Sequence, residues 1–179
     1  MPVQHSIFND MPDLRLIGNV AILPLRTKLR GPAYPTDEYD IVDEVIDLFR
    51  VNSFFRNFEI KGSADRTLFY GILFINECLV SIRQYRTYNA AQKHLNVIAS
   101  DDFALPGEPA FPLNGIYTPP SSAYETDTLR GYLSQFRQEL AERLLGYVFA
   151  ENLEEPSKFW LAFSRKRFMG LSLTGGIRA

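Results

Sequence analysis

Apolar positions along the chain fall into helical spacing over most of its length. Ile41, Val45 and Leu48 form one stripe, flanked by Val42, Ile46 and Phe49. They predict a helix from Asp40 to about Phe55, with Asp40 as N-cap and Asp43 and Glu44 in the first turn, where the helix dipole favours negative charge. Leu68, Ile72, Ile75, Leu79 and Ile82 alternate steps of four and three, which puts them on one face. Phe69, Leu73, Phe74 and Val80 cover the other faces, so a helix from Ser63, its expected N-cap, to about Tyr85 is apolar all round and should be buried all round. A weaker helix is expected at Asn89–Ile98. A strong one is expected from Thr126 to Phe149, carrying Leu129, Leu133, Phe136, Leu140 and Leu144. The last is expected to open at Pro156, a favoured first-turn residue, and to close near Met169–Gly170, with Phe159, Trp160 and Phe163 on its apolar side.

Two stretches break this pattern. Residues 1–35 read as an extended arm: Gly18-Asn19 signals a turn, and Pro24, Pro32 and Pro35 prevent a long regular element. Such an apolar arm must pack on its own domain or on a neighbour. Residues 100–123 form a loop with five prolines, in which Pro106, Pro109 and Pro112 recur every third residue, the repeat of a polyproline II helix. Long connections of this kind are often functional. Phe111, Leu113, Ile116 and Tyr117 in the loop either fold back on the helices or form an exposed patch for a partner. The fold expected is therefore all-α: one domain over 1–179, with about five helices, one of them buried among the others, plus the arm and the Pro-rich loop.

Composition narrows the function. At 179 residues the chain can bury roughly 70% of its unfolded surface and needs no disulfide or metal staple. The net charge of -2 lacks the basic bias of a general nucleic-acid binder. The longest apolar stretch, Leu68–Ile82, is shorter than a membrane span and contains Asn76 and Glu77. The first residues, MPVQHSIFND, do not read as a secretory signal, and one cysteine fits a reducing compartment. Aromatics make up 13% of the chain, compatible with a rich core or a sticky surface.

Catalytic chemistry is hard to find. One Cys and two His, His5 and His94, cannot build a Cys/His zinc cluster. There is no phosphate-cradling glycine loop and no nucleophile elbow. Cys78 with His94 is a thiol–base pair on paper, but a cysteine on an apolar helix is ordinarily inert core. Six carboxylates between Asp37 and Asp47 suit a helix N-terminus and a solvated face better than an acid/base or hard-metal site; a contact for a basic partner is a third reading. Glu77, on the buried helix, needs a partner, with an arginine expected. From Pro156 on, Lys158, Arg165, Lys166, Arg167 and Arg178 occur with no acid, so part of that cluster is free to meet an acidic surface.

The order of several unusual strings carries a resemblance. They are HS at His5–Ser6, LIGNVAILPLR at Leu16–Arg26, DIVDEVI at Asp40–Ile46, FFRNFEIKGSADRTL at Phe54–Leu68 and PGEPAFPLNGIY at Pro106–Tyr117. YLSQFRQE at Tyr132–Glu139, PSKFW at Pro156–Trp160 and RKRFMGLSL at Arg165–Leu173 follow. Together they resemble the subunit 3 family of the actin-related protein 2/3 complex over nearly the whole length. The sequence departs from that pattern at 83–100, 118–128, 151–154 and in the final TGGIRA. The resemblance implies about five helices with one surrounded by the others. It implies a seven-subunit complex in which two actin-related proteins mimic the end of a new filament and bind the ATP, and in which this subunit adjoins the actin-related protein 3 subunit and the existing filament. It implies no catalytic residue, no cofactor and no metal, and a cytoplasmic place in the actin cytoskeleton, at cortical patches. The residues expected to touch partners are Phe111, Leu113 and Tyr117 in the loop and Lys158, Arg165, Lys166 and Arg167 near the C-terminus. The rival reading is a free-standing adaptor that offers its Pro-rich loop to aromatic-groove domains.

Overall fold

The computed structural model describes residues 3–54, 56–165 and 168–173. It is mostly helical. The first helix, α1 (Ile41–Asn52), begins as expected at Asp40. The Asp40 carboxylate accepts the Asp43 N–H at 3.0 Å, and Asp43 returns the bond to the Asp40 N–H at 3.2 Å. This reciprocal pair satisfies two of the free N–H groups of the first turn. The helix stops at Asn52, short of the expected Phe55, which lies outside the described residues. Asn52 turns its amide to the N-terminal arm, donating to Gln4 O at 2.9 Å and accepting from Gln4 N at 3.0 Å.

The second helix, α2 (Ser63–Ile82), is capped by Gly62, not by the expected Ser63. The reason is space: a Cβ at Gly62 would meet Asn9 Oδ1 at 2.5 Å. That oxygen, brought in by the arm, accepts the Asp65 N–H at 3.0 Å and does a capping side chain's work. Leu68, Phe69, Ile72, Leu73, Phe74, Ile75, Leu79 and Ile82 are all buried. Val80 is 45% exposed, so one expected apolar contact faces out. α2 packs against α1, α3 (Tyr88–Ser100), α4 (Ala123–Val148) and α5 (Lys158–Ala162). At Gly71 the approach is tight: a Cβ would lie 2.6 Å from Val45 Cγ2 and 3.0 Å from Phe136 Cζ.

α4 starts three residues before the expected Thr126. Ser122 caps it by accepting the Glu125 N–H at 3.1 Å, while Glu125 accepts the Ser121 N–H at 2.8 Å. α5 is much shorter than the expected Pro156–Met169 helix. It gives way to 3-10 turns at Phe163–Arg165 and Phe168–Gly170, with Met169 and Gly170 at φ 53° and 70°. The core dictates the break. Phe163 packs on Phe49, and Phe168 on Phe58 and Phe69. In a continuous helix, residues five apart point ~140° away from each other, too far to serve one core.

The arm is not all irregular. Leu16–Ile17 (β1) and Val20–Ala21 (β2) form a minimal antiparallel hairpin, with Ile17 opposite Val20. Gly18 takes φ 57° in its turn, and a Cβ there would collide with Thr118 O at 2.2 Å, so glycine is required on both counts. Ile17, Val20, Ile22, Leu23 and Leu25 are buried in the chain's own core. The Tyr132 hydroxyl accepts from Leu23 N at 3.1 Å and donates to Leu23 O at 3.0 Å, while Thr67 donates to Ala21 O at 2.7 Å.

The Pro-rich segment is a run of turns, not polyproline II. Glu108 N–H bonds Leu105 O, Phe111 N–H bonds Glu108 O, and Ile116 N–H bonds Leu113 O. A polyproline II helix has no internal hydrogen bonds. The hairpin tip holds the segment in place: the Asn19 side chain accepts Thr118 N–H at 2.8 Å, and Arg66 donates to Ile116 O at 2.7 Å.

Candidate interaction surface

Phe159 and Trp160, consecutive on α5, point ~100° apart and divide between surface and core. Trp160 goes inward, with its ring 6.3 Å from Phe49 and inclined to it by only 14°. Phe159 stays 53% exposed. Around this pair a ledge assembles from three parts of the chain. Arg50, exposed on the last turn of α1, lays its guanidinium 4.9 Å from the Phe159 centroid and 5.6 Å from that of Trp160. Phe54, 60% exposed, meets Phe163 edge-on at 5.9 Å, and Phe163 meets Phe159 at 5.5 Å. Tyr147, 52% exposed near the end of α4, lies 6.2 Å from Trp160.

Two of the expected contact residues belong to the same region: Lys158 is exposed at the first position of α5, and Arg165 is exposed where the chain leaves it. Arg50, Lys158 and Arg165 form no ion pair among the described residues. The result is a positive, aromatic surface with its charges available. Arginine and aromatic side chains of this kind dominate the energetics of protein interfaces. Lys166 and Arg167 lie outside the described residues.

The loop residues are different. Phe111, Leu113 and Tyr117 are each 4% exposed, so their expectation as surface contacts is corrected: they are core. The Phe111 and Tyr117 rings meet edge-on at 5.3 Å, and the Tyr117 hydroxyl donates to Arg66 O. Burial pushes the Tyr117 phenol far above its ordinary range. Ile116, at 37%, is the partly exposed member of that set. With its apolar residues facing inward and its prolines in turns, the loop lacks the free polyproline II ligand that the adaptor reading required.

The acidic run at the start of α1 is used internally. Arg143 donates to both Asp40 oxygens at 2.6 and 2.8 Å, to Asp43 at 3.0 Å and to Glu139 at 2.9 Å. Arg26 clasps Asp43 from the other side at 2.7 and 3.0 Å. Burial alone would raise the Asp43 carboxyl; the Arg26 hydrogen bond, the Asp40 N–H and the Arg143 charge outweigh it and bring the pKa down to about 2. Glu44 accepts Ile7 N–H, and the Tyr39 hydroxyl donates to Asp47.

Cys78 is buried, and burial drives its thiol well up, opposite to the activation that a nucleophile requires. His94 instead stacks on Tyr85 at 4.1 Å. Glu77 has its expected arginine nearby, but not as an ion pair. Burial raises its carboxyl and the Arg137 charge opposes this, while Arg137 spends its donors on Ile98 O, Ala99 O and the Tyr70 hydroxyl. Among the described residues no three His, Cys, Asp or Glu side chains are grouped to hold a metal, and no helix is long and apolar enough to cross a membrane.

Comparison with known proteins gives a consistent result. The family model described as P21-Arc, the ARP2/3 complex ARPC3 (21 kDa) subunit, matches residues 1–173. The chain is 54% identical over 175 residues to actin-related protein 2/3 complex subunit 3 of Schizosaccharomyces pombe, covering 97% of this chain and 100% of that protein. It is 55% identical over 178 residues to the Saccharomyces cerevisiae protein of the same name, again with 97% and 100% coverage. It is 45% identical over 174 residues to that of Dictyostelium discoideum, covering 96% and 99%.

Proposed function

The chain belongs to the ARP2/3 complex ARPC3 (21 kDa) subunit family, and from that premise we propose that its α5 ledge is where it meets the actin-related protein 3 subunit and the existing filament. The protein is a subunit of the actin-nucleating complex, and its partners are actin-related proteins 2 and 3, the other subunits and actin. The observation that carries this is the match along residues 1–173. We read 1–179 as one helical domain with α2 at its centre, an N-terminal arm and a Pro-rich loop, since the connected core draws on arm, loop and every helix. Within the cell we place it in the cytoplasmic actin cytoskeleton, at cortical patches.

The subunit acts by binding energy and geometry. Trp160 and Phe163, buried in the core, anchor the ledge under the exposed Phe159. Arg50, Lys158 and Arg165 supply the charge that an acidic, actin-type surface would meet, and Phe159 supplies apolar area. Lys166 and Arg167 extend the same basic run in sequence.

The test is charge reversal in the assembled complex, R50E, K158E and R165E together, read by filament co-sedimentation and by branch counts under fluorescence microscopy. Loss of this subunit from the complex, or about a tenfold fall in filament affinity, is expected from three desolvated charges. A fully assembled complex with unchanged affinity and unchanged branching would contradict the ledge assignment.

A further inference from the structure

We propose that the groove between the end of α4, the connection to α5 and α5 itself binds an extended, proline-containing segment of another protein that carries an arginine or lysine beside its prolines. The groove encloses about 630 Å³ and does not include Arg50, Phe54 or Arg165. It shares Tyr147, Lys158, Phe159 and Trp160 with the ledge, and Glu151, Asn152 and Glu155 are its own.

Three features select the occupant. The first is the wall. Tyr147, Phe159 and Trp160 line the groove, with Tyr147 and Phe159 inclined to the indole by 53° and 77° at about 6.2 and 6.3 Å. Tyr147 and Phe159 are each about half exposed and offer ring surface, while Trp160 is buried with its ring against Phe49; aromatic-lined grooves take proline rings, and a polyproline II segment loses little entropy on docking.

The second is the donor set. An extended segment brings unpaired carbonyls that need N–H partners. The Trp160 indole N–H has no acceptor among the described residues, yet it is not sealed from solvent. Asn152 uses its side-chain oxygen to accept the Glu154 N–H at 2.9 Å, which leaves its amide hydrogens to donate.

The third is charge. Glu151 and Glu155, both exposed on the connection, line the groove and form no ion pair among the described residues. Lys158 stands on the α5 side. A ligand with a basic residue at one end is thereby oriented, its cation toward the connection. The chain's own Pro106, Pro109 and Pro112 are not the source, because turns and burial hold that loop against the core.

Trp160 is the single tryptophan of the chain, so its fluorescence reports the groove directly. The purified full-length chain would be titrated with a synthetic polyproline II peptide flanked by two arginines, with the same peptide flanked by glutamates, and with a proline-free arginine peptide of equal charge. Saturable change in Trp160 emission with the first peptide alone is expected. In the E151K/E155K variant, checked for an unchanged circular dichroism spectrum, its affinity should fall about fivefold from the loss of two exposed charge pairs. Equal response to the arginine peptide without prolines, preference for the glutamate-flanked peptide, no response up to the solubility limit, or an unaltered affinity in the double variant would each overturn the proposal. None of these outcomes bears on whether the subunit assembles into its complex.

Discussion

Arg143→Ala is expected to destabilise the protein by about 3 kcal/mol, far more than loss of the neighbouring Arg26. The Asp40 side chain is 0% exposed and is held by both terminal nitrogens of Arg143. Breaking a buried pair by removing one partner costs about 3–5 kcal/mol, because a charge is left stranded. Asp40 would still accept the N–H groups of Arg26 at 2.8 Å and Asp43 at 3.0 Å, which places the cost at the low end of that range. Arg143 also releases Glu139 and the Arg26 carbonyl, so three segments of the chain loosen together. The Arg26 side chain is 42% exposed, and its pair with Asp43 is worth about 0.5–1 kcal/mol. The assay is urea unfolding followed by circular dichroism and by Trp160 fluorescence, with coincident transitions as the condition for two-state treatment. With a slope of about 2 kcal/mol/M, the Arg143→Ala midpoint should fall by about 1.5 M. The double variant Asp40→Asn with Arg143→Met, which leaves no charge at the fully buried position 40, should recover about 1–2 kcal/mol of the loss. A cost below about 1 kcal/mol for Arg143→Ala, or an equal cost for Arg26→Ala, would refute the reasoning from the buried carboxylate.

Three further outcomes follow from single contacts. Gly71→Ala gains about 1 kcal/mol of helix propensity but drives a methyl into Val45 and Phe136, so a net loss of about 1–2 kcal/mol is expected in the same unfolding assay. Tyr132→Phe orphans both backbone groups of Leu23, for a loss of about 2 kcal/mol and faster hydrogen exchange at the Leu23 amide. Glu44 is buried with one oxygen unpartnered, and burial raises its pKa against the Ser6 and Ile7 hydrogen bonds. A carboxyl raised on folding is most stabilising below its unfolded pKa and loses that contribution as pH climbs through the folded value. Glu44→Gln should therefore raise the urea midpoint at pH 7, and the gain should shrink as the pH falls toward the ordinary carboxylate range.

Sequence pattern read best where local chemistry decides the outcome. Asp40 and Asp43 cap α1 through bonds three residues apart, and the stripe from Leu68 to Ile82 needs no distant information to be apolar. It failed where a distant segment takes the deciding position. Ser63 lost the cap of α2 because Asn9, fifty-six residues before Asp65, fills that space. The Ser122–Glu125 pair was a legible start signal for α4, overshadowed by the stronger apolar run that begins later. The long final helix failed because Phe163 and Phe168 serve one aromatic core, a demand invisible to helical periodicity. At the candidate surface, Lys158 and Arg165 are exposed, as charged residues on a short helix ordinarily are, whereas Phe159, expected on the apolar side with Trp160 and Phe163, is 53% exposed. Arg50 could not be found from the sequence, since only the tertiary fold stacks the end of α1 on α5. Phe111, Leu113 and Tyr117 could face either way in a loop with no periodicity, and burial in the core decided it.

The central claim is membership of a working actin-nucleating assembly, and gentle affinity purification of the tagged chain from its own cells tests it most directly. Actin-related proteins 2 and 3 and the remaining complex subunits should co-elute in equal amounts with the chain. Recovery of the chain by itself, or with one proline-binding partner and no actin-related protein, would contradict the account.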